Sequence, residues 1–134
     1  MRAALLVLLA VAVPACAEES RRDAIEEEMA ALESTDAGRR RVAARSLARF
    51  GDEAVPRLAA VAGHRAGTLR REAAWTLAEI GTDGARLALE RFAADVLWTV
   101  RAESARGIAP GPALELLARD PVWRVRAAAV ARAS

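Results

Sequence analysis

Two segments of the chain can be laid over one another: "RRRVAARSLARFG" at 39–51 and "LRREAAWTLAEIG" at 69–81. Both carry a double alanine, then Leu-Ala, an apolar residue and glycine. Leu47 and Leu77 stand 30 positions apart, and so do Gly51 and Gly81. A third copy, "VRAESARGIAPG" at 100–111, puts Ile108 in the leucine place. A fourth, "VRAAAVARA" at 125–133, follows after about 25 residues. The last two copies also agree upstream, "LWTVRAESA" against "VWRVRAAAV". A short unit that recurs in this way cannot bury its apolar face alone, so its copies must stack on their neighbours.

The units are helical. Alanine makes up about a quarter of the chain, and alanine, leucine and arginine are among the best helix formers. Valine and isoleucine occur singly, without the alternation of a half-buried strand. Leu69, Ala73, Leu77 and Ile80 recur at helical spacing and form one buried stripe. Gly51 and Gly81 are placed to end their helices in a left-handed conformation. The second helices read as "EAVPRLAAVAG", "GARLALERFAAD" and "GPALELLARD", with Pro56 and Pro112 near the first turn of theirs, where a missing N–H is harmless. Ser20 with Asp23 approximates a capping box for a lone helix over about 20–34, which carries Ile25, Met29 and Leu32 and covers the first repeat.

This pattern resembles the HEAT-like repeat family, in the short bacterial form related to phycobilisome lyase repeats. The carriers are the "VR" openings at 100 and 125, the "LARFG" and "LAEIG" endings at 47 and 77, and "EAVPRL" at 53–58. The resemblance covers about residues 39–134 and implies an all-α, right-handed α-solenoid. It would hold about four helical-pair repeats, the last one truncated, behind an N-terminal capping helix. Arg40, Arg70, Arg101 and Arg126 share one repeat position, and Asp95 and Asp120 each precede an arginine by six. In the family such residues form a ladder of hydrogen bonds between repeats. Second helices line the concave side of such solenoids, which puts Arg57, Arg86, Arg91 and Arg119 on a candidate binding face.

Trp75 aligns with Arg45 and Arg106 and is therefore expected on an exposed face, where a large apolar group needs a cover or a partner. It joins the four arginines as a candidate contact. Trp98 and Trp123 occupy equivalent places before their helices and are expected to pack between units. His64, in "AGHRAG", has no second histidine or cysteine nearby and reads as a connector residue rather than a metal ligand.

The N-terminus reads as an address. Met1 and Arg2 give a positive start, "AALLVLLAVAV" is apolar, and Pro14 follows. An apolar core of about 11 residues is too short for a spanning helix, which needs roughly 20, and fits a removable secretory signal over 1–15. Two cuts suit it. Ala15-Cys16-Ala17 fits ordinary cleavage before Glu18, giving a secreted chain. "VPAC" resembles the lipobox of bacterial lipoproteins, which would leave Cys16 as a lipidated first residue of a repeat domain over 16–134. With one cysteine, no internal disulfide can form.

Catalysis finds little support. The single histidine sits in a connector, the serines are scattered, and no phosphate-cradling glycine motif is present. No cofactor or metal is implied. Bilin lyases and HEAT-like DNA glycosylases are the enzymatic or nucleic-acid-handling relatives to weigh. Export argues against both, and a net charge of +2 is far from a nucleic-acid footprint. Charge is nonetheless unevenly placed, at about −6 over 18–36 and about +7 over 39–134. The expectation is a non-enzymatic protein–protein scaffold at the cell envelope with an acidic protein partner. It would be a monomer or a weak end-to-end dimer.

Overall fold

The computed structural model describes the backbone of residues 2–134 and the side chains of 15–134. Eight helices follow in order: α1 Arg2–Ala31, α2 Ala37–Phe50, α3 Val55–Ala60, α4 Gly67–Ile80, α5 Asp83–Ala88, α6 Trp98–Gly107, α7 Pro112–Leu117 and α8 Trp123–Ala133. No strand occurs among the described residues. The first helices α2, α4, α6 and α8 stack side by side, α1 lies on α2, and α3, α5 and α7 pack against the first helices of their neighbourhood. This is the helical solenoid that the repeats imply.

Stacking at this closeness depends on small residues. Ala43, Ala44, Ala73, Ala74, Ala105 and Ala129 are all buried on the first helices, and Leu47, Leu77 and Val125 fill the layers between them. The second helices add Leu58, Leu89, Phe92 and Leu117, so the core is a continuous strip rather than a single ball. Ile25, Met29 and Leu32 seal its first end from α1, as expected. Two buried hydroxyls in the strip are satisfied: Thr76 donates to the Glu72 carbonyl at 2.7 Å and Ser104 to that of Leu89 at 2.8 Å.

The second helices are shorter than the sequence suggested. α3 and α5 hold six residues each and then tighten into 3-10 turns at Val61–Gly63 and Leu89–Phe92. The bond from the His64 N–H to the Val61 carbonyl, 2.9 Å, shows the tightening. Gly81 ends α4 in the left-handed region, φ 66° and ψ 7°, with its N–H on the Leu77 carbonyl. Gly51 also has positive φ, 59°, but its ψ of −133° sends the chain into a 3-10 turn instead of a left-handed cap.

The expected helix start at Ser20 is corrected: α1 runs through it from Arg2 to Ala31. Residues 15–31 contain no glycine or proline, and their alanines, glutamates and arginines favour uninterrupted helix. The apolar run read as a signal lies, up to residue 14, outside the residues whose side chains are described. Among the described residues no helix is long and apolar enough to cross a membrane.

Candidate protein-interaction site

The repeat-to-repeat joints position everything else. Each first helix carries an arginine at its fourth residue, and all four reach back in the same way. Arg40 Nη1 donates to the carbonyls of Ser34 and Thr35, Arg70 to His64 and Arg65, Arg101 to Asp95 and Val96, and Arg126 to Asp120 and Pro121. The distances span 2.7 Å at Arg126 to 3.2 Å at Arg70. The other edge of the guanidinium grips the next repeat. Arg70 Nε and Nη2 donate to the two oxygens of Asp95 at 2.6 and 3.0 Å. Arg101 holds Asp120 likewise at 2.7 and 3.2 Å.

Each aspartate has a second task, since Asp95 accepts from the Leu97 N–H and Asp120 from the Val122 N–H, both at 2.9 Å. That turn serves the start of α6 and α8, where Leu97 and Val122 offer no capping side chain. Burial pushes the Asp95 carboxyl up. The Arg70 hydrogen bond, the Leu97 N–H and the two nearby guanidinium charges outweigh it and hold the carboxyl below the ordinary aspartate range. The Asp120 carboxyl is lowered by its Arg101 hydrogen bond against the opposing effect of burial.

The five candidate contacts divide. Arg57 is committed: its Nε and Nη2 form a two-point pair with Glu26 of α1, the second bond at 2.9 Å. The Glu26 carboxyl is lowered accordingly, by the Arg57 hydrogen bond first of all. Trp75 is covered rather than free. It packs half-buried against the core, with the Arg41 guanidinium from α2 at 4.9 Å and that of Arg106 from α6 at 5.9 Å from the ring centre. Arg106 is itself fixed by Glu79 at 2.9 Å and Glu103 at 3.1 Å.

Arg86, Arg91 and Arg119 are different. They lie on α5, in the 3-10 turn after it and just beyond α7, and none makes an ion pair among the described residues.

Beside them stands a feature that the repeat alignment did not single out. Leu87 and Leu116 are each the fifth residue of a second helix, and they are 63% and 71% exposed. The third residue of each, Ala85 and Leu114, turns inward and is buried. A spacing of two on one helix turn puts these residues on opposite faces, and that signal was available in the sequence. Successive second helices thus present leucine outward, with Arg86 and Arg119 one and three residues away in the chain.

Trp98 and Trp123, expected between units, instead begin α6 and α8 at the exposed edge, Trp123 60% exposed, with the Arg124 guanidinium 5.5 and 4.9 Å from the two rings. Their place at the first helical residue points them away from the strip of core. Among the described residues no three His, Cys, Asp or Glu side chains gather as a metal site.

Stacked helix pairs joined by an arginine–aspartate ladder, with one row of helices left open, define a helical-repeat scaffold. The chain belongs to the HEAT-repeat family, whose model, described as HEAT repeats, matches residues 25–109. HEAT repeats generally serve as scaffolds for protein interaction. No curated protein matches the chain.

Proposed function

We propose that this protein is a non-enzymatic interaction scaffold, exported and held at the cell envelope, that grips an acidic amphipathic segment along its second helices. The observation that supports this most directly is the presence of exposed Leu87 and Leu116 on the same row of helices as Arg86, Arg91 and Arg119, three cations that make no ion pair among the described residues. Exposed leucines supply affinity through burial, while rim charges steer encounter and register.

Changing Arg86, Arg91 and Arg119 together to alanine removes no internal ion pair, so helical circular dichroism should be unchanged. Each rim pair is worth roughly 0.2–1 kcal/mol, so the triple variant should bind the partner captured from envelope extract about tenfold more weakly at low salt. The difference should shrink at high salt. Equal affinity at both salt concentrations would remove the arginines from the site.

The envelope location rests on Cys16. It is exposed on α1, nine residues before Ile25, the first core residue of that helix. At 1.5 Å per residue the sulfur stands only about 14 Å along the helix from the packed body. A diacyl or triacyl anchor there would hold the repeats against the bilayer, which one acyl chain does only marginally. The intact mass of the mature protein is expected to show a chain beginning at Cys16 with added acyl groups. A mature chain of unmodified mass beginning at Glu18 would make it a secreted protein instead.

A further inference from the structure

Within the chain, each first helix receives the next one in a fixed way. Arg70 and Arg101, each pinned through Nη1 on two carbonyls of the connector before it, hold Asp95 and Asp120 of the following connector through Nε and Nη2. Each aspartate also accepts from the N–H two residues on, so one carboxylate both starts the covering helix and locks it to the helix beneath. At the first joint His64 stands in the aspartate's place, its Nδ1 accepting from the Ala66 N–H at 3.0 Å, and Arg40 faces Glu72 at 3.6 Å instead.

The last helix, α8, repeats the receiving half of this joint. Its fourth residue is Arg126, whose Nη1 is pinned on the Asp120 and Pro121 carbonyls at 2.7 and 3.0 Å. Among the described residues its Nε and Nη2 have no acceptor and it makes no ion pair. Asp120 cannot serve, because both of its oxygens are on Arg101. Arg126 is exposed, whereas the side chains of Arg70 and Arg101 retain only 12% and 15% exposure.

The neighbouring positions agree. The residue four after each of these arginines is Ala44, Ala74, Ala105 or Val130. The three alanines are fully buried, and Val130 is 57% exposed. Trp123 is 60% exposed against 38% for its counterpart Trp98. Trp123, Ala127 and Val130 follow at helical spacing and form one stripe on the side of α8 turned away from the buried Val125 and Ala129.

We propose that this face of α8 docks a helix of another protein that is led in by an aspartate, its carboxylate on Arg126 Nε and Nη2 and its helix on Trp123, Ala127 and Val130. The joints of Arg70 and Arg101 define the occupant: an aspartate, any residue, an apolar residue, then a helix, as in Asp95-Val96-Leu97 and Asp120-Pro121-Val122. A guanidinium fixed in advance and met by both carboxylate oxygens gives such a contact its geometry. A second copy of this chain does not supply it. Six residues before Arg40, where the aspartates stand before Arg101 and Arg126, it has Ser34, whose hydroxyl accepts from the Asp36 N–H, and α1 already lies on α2. The site belongs to the row of first helices and is independent of the second-helix face.

Residues 95–107, the segment that covers α4, serve as the probe, in a blocked peptide stapled between positions 102 and 106 to hold it helical. In ¹⁵N-labelled full-length protein this peptide should move the Arg126 Nε–H and Trp123 Nε1–H resonances and leave those of Arg86, Arg91 and Arg119 in place. The same peptide with Asp95→Asn should bind at least tenfold more weakly, since it offers the guanidinium no charge. Val130→Glu in the protein, a change at an exposed position, should keep the helical circular dichroism and weaken the aspartate peptide at least tenfold. The protein alone should scatter light as a monomer at every concentration.

An Arg126 resonance that the aspartate peptide does not move, or equal binding of the aspartate and asparagine forms, overturns the carboxylate contact. Undiminished binding to Val130→Glu overturns the stripe as the seat of the helix. A dimer that grows with concentration and is lost in Val130→Glu overturns the foreign partner and makes a second copy the occupant.

Discussion

Asp95→Ala should destabilise the fold by about 3–5 kcal/mol, the usual cost of removing one member of a buried ion pair. The carboxylate is 6% exposed and its partner guanidinium 12%, so water cannot readily replace what is lost. The substitution strands Arg70 at the face of the neighbouring repeat, leaves the Leu97 N–H without its acceptor and removes a counter-charge from Arg101. Asp95→Asn keeps an acceptor for the turn but no charge and should cost roughly half as much. Urea denaturation of the three proteins at neutral pH checks the ranking, and a loss under about 1 kcal/mol would make the ladder ornamental in the manner of exposed ion pairs.

The same measurement has a pH dependence with a fixed sign. The Asp95 and Asp120 carboxyls hold their protons less tightly in the folded chain than in the unfolded one. Their contribution is therefore fully present above the ordinary aspartate range and fades as pH falls through it towards the lowered folded values. Asp95→Asn should show a shallower loss of stability across that acidic window than the parent protein.

Gly107→Leu should be the most damaging substitution at any glycine. A Cβ at this position would lie 2.8 Å from both Cα and Cβ of Ala78 and 2.8 Å from Cδ1 of Leu89. Leu89 can rotate, but Ala78 is part of α4, which is held between α2 and α6 and cannot withdraw. Overpacking of this kind costs about 1–3 kcal/mol, and a branched side chain against a fixed backbone belongs at the upper end. Gly107→Ala should be milder, because replacing glycine in a helix returns up to about 1 kcal/mol of helix propensity. Thermal melts of both variants, with the leucine form the lower, test the close approach. A leucine form that melts with the parent protein would mean that the two helices can part without penalty.

The repeats made most of the fold legible. The shared Leu, Gly and double-alanine positions fixed which helices stack, and the common place of Arg40, Arg70, Arg101 and Arg126 announced the joints. What stayed hidden depends on partners distant in sequence. Nothing near Arg57 signals that Glu26, 31 residues away, will occupy it across α1 and α3. Trp75 looked exposed because its own helix leaves it so, and the arginines that cover it come from α2 and α6. Gly107 stood in plain view in "VRAESARGIAPG", but its role depends on Ala78 in another repeat. His64 is the reverse case. Its six-residue offset from Arg70 matched the aspartates all along, and its chemistry concealed the match. Leu87 and Leu116 were obscured because a leucine on an alanine-rich helix reads as core until the helix phase is known.

In a row of units that touch only their neighbours, resistance to bending is set joint by joint. Two of the joints are riveted by paired guanidinium–carboxylate bonds, while the one at His64 has an ion pair at 3.6 Å and no such rivet. Besides that pair the joint has, among the described residues, only the Thr82 hydroxyl bond to Asp52 and the stacking of Arg41 on Trp75, so it should bend more readily than the other two. The solenoid should flex there as two stiff segments, α1 to α3 against α4 to α8, rather than curving evenly along its length.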